Sequence, residues 1–368
     1  MTMPASPSTS LSPWKTPRGR FLATLAGLTV VLVIAAALAL TGERARTAVQ
    51  FAPRPFFPAL ESRLDAAAQI TLTSRDASIT MKRGADKTWT ATSMHDYPVD
   101  GKRIRVLLLG LTNLVAVEQK TAQPALHEAL GLGAPDAQGS GTLVTVSDAD
   151  GAVIASLIAG KQAPGAMEGQ DHFYARRVGE DQTYVVKGSL VRSVDVVDWL
   201  ETTIVDIPRD RVQSVAVHPL DGPDYRVSRA SASDANFVVE GIPKGRVVLN
   251  ETVANATGAA LSDLTLDDVR KADELDFSKA GGDVYQTFDG LTLTLDVIDA
   301  DGAFWLRVKA EGNGDSASAE AAAINARTAG WAYKLSEWKG EILLRALERL
   351  LQSSDAATPK SDDLGLSP

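Results

Sequence analysis

The chain has 368 residues, a formal charge of −9 and no cysteine. Without thiols there is no disulfide framework, no thiolate nucleophile and no thiolate metal site. An acidic body is also not shaped to bind nucleic acid or anionic lipid, and its length suits two domains of ordinary size behind an N-terminal leader.

Residues 1–20 read as a disordered cytoplasmic tail, Pro/Ser/Thr-rich at the start and basic at Lys15, Arg18 and Arg20. Residues 21–40 follow, uncharged and rich in Leu, Val and Ala. At about 1.5 Å per residue they reach roughly 30 Å as a helix, the thickness of a bilayer's hydrocarbon core. No acidic residue precedes Glu43. The positive-inside bias therefore places the N-terminus in the cytoplasm and the bulk in the periplasm. A competing reading is a cleaved signal peptide, because Ala35-Ala36-Ala37 and Ala37-Leu38-Ala39 both offer the small-x-small pattern of a cleavage site.

Residues 41–67 read as an extended spacer, since the prolines of Phe51-Ala-Pro-Arg-Pro-Phe-Phe-Pro cannot continue a helix. Its phenylalanines either pack beneath the first domain or touch the bilayer interface. Residues 68–210 form the first α+β unit. Alternating segments at 70–73, 79–82 and 88–92 predict a β-meander. Asp100 then caps a helix whose Ile104, Leu107, Leu108, Leu111 and Val115 share one face. A short helix is expected at 125–132, strands on either side of Asp148-Ala-Asp-Gly, further strand at 183–186, and a closing helix at 196–204.

Residues 211–352 repeat that order. Strands are expected at 214–218, 225–229 and 237–240, helices at 246–261 and 341–351, and Trp331-Ala-Tyr-Lys-Leu answers Tyr184-Val-Val-Lys. A second Asp-Ala-Asp-Gly at Asp299 lies about 150 residues after the first. The fold class expected is thus α+β: a transmembrane helix followed by two tandem, internally duplicated domains of mostly antiparallel sheet covered by helices. Residues 353–368 are a polar, loose tail.

Chemistry-bearing motifs are few. The two Asp-Ala-Asp-Gly runs resemble the start of a calcium loop but lack its remaining ligands, and Asp-Gly between strands is a hairpin turn. Ala155 and Gln162 break any phosphate loop around Gly160-Lys161. His95, His127, His172 and His218 have no ligand spacing, and no Gly-x-Ser-x-Gly occurs. The acidic clusters Asp267-Asp268 and Asp273-Glu274 read as solvated helix surfaces. No catalytic, metal or cofactor residue is assigned. Phe173, Tyr174, Arg176 and Arg177 form the candidate interaction patch, with guanidinium beside aromatic on alternate faces of one strand.

Several stretches together carry a resemblance: Trp89, Tyr97-Pro98-Val99-Asp100, Leu111-x-x-Leu114-x-Ala116, Leu130-Gly-Leu-Gly-Ala-Pro, Ile158-Ala-Gly-Lys, Phe173-Tyr-Ala-Arg-Arg and Tyr184-Val-Val-Lys. With these the chain resembles domain-of-unknown-function family 4340, well over 68–210 and more weakly beyond. The resemblance implies a single-span bacterial envelope protein whose gene accompanies gliding-motility-type ABC transporter subunits. It supplies no catalytic residue. The function expected is a non-catalytic, membrane-anchored periplasmic accessory or docking subunit of an ABC-type transport system, held in inner-membrane lipid through residues 21–40. The alternative is an envelope hydrolase, or a glycan- or ligand-binding module, with a cleft between the two units.

Overall fold

The computed structural model describes residues 51–164 and 171–353, together with Thr29 and Val33, both helical. The expected span 21–40 otherwise lies outside the described residues, as do the tails. Among the described residues no helix is long and apolar enough to cross a membrane.

The first half is one ten-stranded antiparallel sheet. Its strands in chain order are β1 (Arg54–Pro55), β2 (Gln69–Thr73), β3 (Ser78–Arg83), β4 (Trp89–Ala91), β5 (Tyr97–Pro98), β6 (Val115–Gln119), β7 (Thr142–Ser147), β8 (Val153–Gln162), β9 (His172–Arg177) and β10 (Thr183–Lys187). They lie side by side as β1-β6-β10-β9-β8-β7-β2-β3-β4-β5. Helix α1 (Gly101–Thr112) leads from β5 to β6. The Asp100 carboxylate accepts from the Lys102 N–H at 2.8 Å, as an N-cap should, and Ile104, Leu107 and Leu111 are buried.

The second half contains β11 (Thr203–Val205), β12 (Val212–His218), β13 (Tyr225–Ser228), β14 (Val238–Glu240), α2 (Asn255–Gly258), β15 (Leu264–Thr265), β16 (Asp268–Lys271), β17 (Gly281–Thr287), β18 (Leu291–Ala300), β19 (Ala303–Gly312), α3 (Asp315–Thr328), β20 (Trp331–Lys334) and α4 (Glu337–Leu343). Its eight-stranded sheet runs β14-β13-β12-β17-β18-β19-β20-β16, while β11 and β15 pair separately. Set beside β4-β3-β2-β7-β8-β9-β10-β6, the second sheet follows the first strand for strand in chain rank.

The correspondence is not the one that the repeated turn suggests. The first Asp-Ala-Asp-Gly joins β7 to β8, and the second joins β18 to β19. By sheet position the β7–β8 hairpin answers β17–β18, which turns at Phe288-Asp289-Gly290. The two like turns occupy neighbouring, non-equivalent hairpins, because Asp-Gly recurs wherever a tight turn needs positive φ; Gly151 has φ 84° and Gly302 φ 75°.

Several expected helices shrink. Residues 125–132 become two 3₁₀ turns, Pro124–Leu126 and Glu128–Leu130, stopped by Gly131 at φ 71°. The helix expected at 196–204 is a single 3₁₀ turn, Val197–Trp199, followed by β11. The one expected at 341–351 divides into α4 and a 3₁₀ turn, Leu347–Leu350. Residues 246–261 keep only α2. The β-branched Val247 and Val248 lie extended against the C-terminal segment instead, with Val248 bridging Leu351 and the Leu249 N–H donating to Leu350 O at 2.8 Å. Helix α3 was not anticipated: its buried stripe is Ala317, Ala321, Ile324 and Thr328, helical in spacing but weak in hydropathy.

The spacer also differs from expectation. Arg54 and Pro55 form the edge strand β1 opposite Ala116 and Val115, and residues 61–66 form a 3₁₀ helix. Proline is tolerated there because an edge strand needs no donor on its outer side. Of the three phenylalanines Phe56 is wholly buried, so packing beneath the first sheet prevails.

One hydrophobic cluster runs through both halves. At the junction the Tyr97 ring meets Trp331 edge-on at 4.9 Å and Tyr333 at 6.3 Å, and its hydroxyl donates to Glu201 O at 3.1 Å. Val99 bridges Leu200, and the Asp100 N–H donates to Trp199 O.

Candidate binding surfaces

The candidate patch on β9 divides as strand alternation requires. Phe173 is buried, with the Arg192 guanidinium 5.1 Å from its ring. Arg177 donates from Nε and Nη2 to Phe56 O at 2.9 and 2.5 Å, pairs through Nη1 with Glu180 at 2.9 Å, and lies 4.7 Å from the Phe56 ring and 5.6 Å from Tyr184. It is therefore a clamp on the spacer. Phe56 completes the arrangement by meeting Phe57 and Tyr184 edge-on at 5.0 and 5.9 Å. Tyr174 and Arg176 are half-buried on the other face, and Arg176 Nε donates to Leu132 O at 3.0 Å. The four residues do not make one continuous patch.

Arg176 instead borders a cleft of about 510 Å³ beside the glycine-rich turn, together with Arg75, His127, Glu128, Gly133 and Gly139. The turn is built by close backbone approach: a Cβ on Gly139 would lie 2.2 Å from the Gly133 carbonyl carbon, and one on Gly133 only 2.0 Å from Glu128 Oε2. His127 is buried and holds Asp181 O at 2.8 Å through Nε2, which must carry the proton because a carbonyl only accepts. Hydrogen bonds from Ser140, aided by the Arg75 and Lys161 charges, keep the Glu128 carboxyl below its usual range. Arg75 Nε donates to Gln138 O at 3.0 Å. Among the described residues both guanidinium groups spend only Nε on protein acceptors, leaving Nη donors able to take an anion beside a balancing carboxylate. The sequence hid this cleft, since its lining comes from segments far apart in the chain, Arg75, the 124–139 turns and Arg176 of β9; the Leu130-Gly-Leu-Gly-Ala-Pro run was the signal available.

The second half holds a buried polar cluster that sequence reading passed over. Asp283 is 1 % exposed, and the Tyr285 hydroxyl oxygen lies 3.0 Å from both Asp283 Oδ2 and Thr257 O. A hydroxyl has one proton, and a carbonyl oxygen has none to give. Tyr285 has one proton for these two acceptors; with Asp283 neutral, the acid O–H supplies the second bond by donating to Tyr285 Oη, and Tyr285 donates to Thr257 O. Burial pushes Asp283 well above the ordinary aspartate value of 3.8, and Tyr285 up as well. Tyr225 closes the group, its hydroxyl donating to Arg345 O at 2.8 Å. Alternation along β17 places Asp283 inward beside Tyr285, but a lone inward Asp after Gly281-Gly282 reads in sequence as a turn.

Other polar motifs are spent on partners within the protein. Asp148 Oδ1 accepts from the N–H groups of Asp150 and Ala152, capping its own hairpin. His95 pairs with Glu274 across the two halves at 3.4 Å, and His218 with Asp224 at 2.9 Å. Among the described residues no group of His, Asp and Glu is disposed to hold a metal ion.

No curated protein and no solved structure matches the chain. The model of a family described as Domain of unknown function (DUF4340) matches residues 89–281. That stretch begins at β4, takes in α1, the glycine-rich turn and β9, and ends at the first residue of β17. Covering more than half of the sequence, it establishes that the chain belongs to the DUF4340 family.

Proposed function

We propose that the protein is a membrane-anchored periplasmic accessory or docking subunit of an ABC-type transport system, with residues 21–40 crossing the inner membrane and an internally duplicated body outside. The observation that carries this reading is the clamped spacer. Phe56 is fully buried and held by Arg177, so the chain arriving from the span is built into the first sheet. A freely swinging tether would suit a scavenging enzyme; an incorporated one holds a surface at a set height and orientation, as docking beside a membrane partner requires. Two sheets of one strand order support the duplication. The transporter as partner class rests on the family resemblance.

A second reading, a ligand-binding module, is favoured by the unspent Nη donors of Arg75 and Arg176 at the 510 Å³ cleft. The hydrolase reading has less to stand on, because each cavity described draws its lining from one half of the chain. Co-purification of tagged full-length protein from mild detergent tests the first reading: transporter membrane subunits are expected to accompany it and to be lost with Arg177→Ala. Recovery of the protein alone, together with saturable binding of a small anion abolished by Arg176→Ala, would move the assignment to the second.

A further inference from the structure

The register of the first sheet shows where the membrane-side chain enters. β1 pairs antiparallel with β6, Arg54 opposite Ala116, so tracing back from Arg54 toward Phe51 follows β6 to Gln119. The Phe51 ring accordingly lies 5.9 Å from Tyr184, the residue opposite Gln119 on β10. Three large apolar side chains are exposed at that same end. Leu126, 45 % exposed, borders an open depression of about 710 Å³ with Lys120, and the Lys120 N–H donates to Thr183 O. Val178, 49 % exposed, stands in the turn from β9 to β10; Val153, 54 % exposed, starts β8 just beyond the Val178 N–H to Ser156 O bond.

We infer that this end of the first sheet rests on the bilayer, with Leu126, Val153 and Val178 touching the boundary between headgroups and acyl chains. The inference rests on the anchored reading above. Ten residues, 41–50, separate the expected span from Phe51, so the entry end lies at most about 36 Å from the membrane, and the opposite end of β10 a further ~17 Å away. Apolar side chains on loop tips beside a membrane entry point gain burial from lipid that water does not offer. Glu118 and Glu180 at this end are paired with Lys120 and Arg177, and the exposed Asp150 and Asp181 of the same turns have no ion pair among the described residues, so the apolar side chains and not anionic lipid would make the contact.

The absence of native cysteine makes the test clean. Leu126→Cys, Val153→Cys and Val178→Cys, each in the full-length protein, carry a bimane reporter in zwitterionic nanodiscs doped with nitroxide-labelled lipid. Controls are Leu109→Cys at the opposite end, where Gly110 packs on Ser189 O beyond β10, and Val238→Cys on β14 of the second half. Quenching severalfold stronger at 126, 153 and 178 than at 109 and 238 is the expected result. Uniform or absent quenching, in protein that stays with the nanodisc, overturns the inference alone. Reporters shielded at this end but insensitive to nitroxide lipid mean a protein partner covers it, which also overturns it. Failure of the full-length protein to enter nanodiscs overturns the anchored reading and this inference together.

Discussion

Asp283→Asn isolates the buried acid from every other titrating group. Burial favours the neutral carboxyl in the folded state, where its O–H can donate to Tyr285 3.0 Å away, whereas in the unfolded chain it ionises near the ordinary value of 3.8. A group whose folded pKa is raised contributes its full stability below the unfolded value and loses it as pH rises toward the folded value. Across that window, which opens just above pH 4, the unfolded state releases a proton that the folded state keeps. Wild-type stability should then fall relative to the variant by about 1.4 kcal/mol per pH unit. Asn supplies an N–H in place of the acid O–H, so the donor to Tyr285 is retained and the variant remains folded. Asp283→Ala lacks that donor and should cost about 1–3 kcal/mol at pH 4 as well. Urea unfolding of full-length protein in detergent, followed by tryptophan fluorescence, which the buried Trp199 and Trp305 make sensitive to unfolding, at closely spaced pH values from 4 to 6 gives the difference curve. Parallel wild-type and Asp283→Asn curves would falsify the protonated assignment, since a carboxylate already ionised when folded produces no such slope.

Arg177→Ala removes two charge-assisted hydrogen bonds, one ion pair and two ring contacts, and should cost about 2–4 kcal/mol and open the chain to limited proteolysis at Phe56 and Phe57; Arg177→Lys, lacking the fork, should be intermediate. Gly139→Ala, which drives a Cβ into the Gly133 backbone, should lower stability by about 1–3 kcal/mol, measurable as a drop in the thermal midpoint, and unchanged melting would show that the turn relaxes freely. Tyr97→Ala, at the junction, should cost about 3–5 kcal/mol and split one calorimetric transition into two, whereas a single transition shifted as a whole would mean the halves are coupled elsewhere.

Local pattern was enough to read the meander β2–β4 with its counterpart β12–β14, the Asp100-capped helix with its buried Ile104, Leu107 and Leu111, and the correspondence of the Tyr184 strand in the first sheet to the Trp331 strand in the second, because alternation and helical spacing are properties of neighbouring residues. Composition likewise marked 21–40 as a length able to span a membrane and ruled out cysteine chemistry. What neighbours cannot encode was decided by packing over long sequence separations. The Asp-Ala-Asp-Gly turns look equivalent in sequence and are not, since only strand pairing assigns a hairpin its place in a sheet. Residues 246–249 have no helix because Leu350 and Leu351, a hundred positions away, offer strand partners. Arg177 looks like a free surface cation until Phe56, more than a hundred residues earlier, closes over it, and Asp283 looks like a turn residue until Tyr285 and Thr257 enclose it. At Arg177 and Asp283 the backbone form was a local matter, while the role of the side chain was set by which distant carbonyl, ring or hydroxyl the fold brought within hydrogen-bond reach.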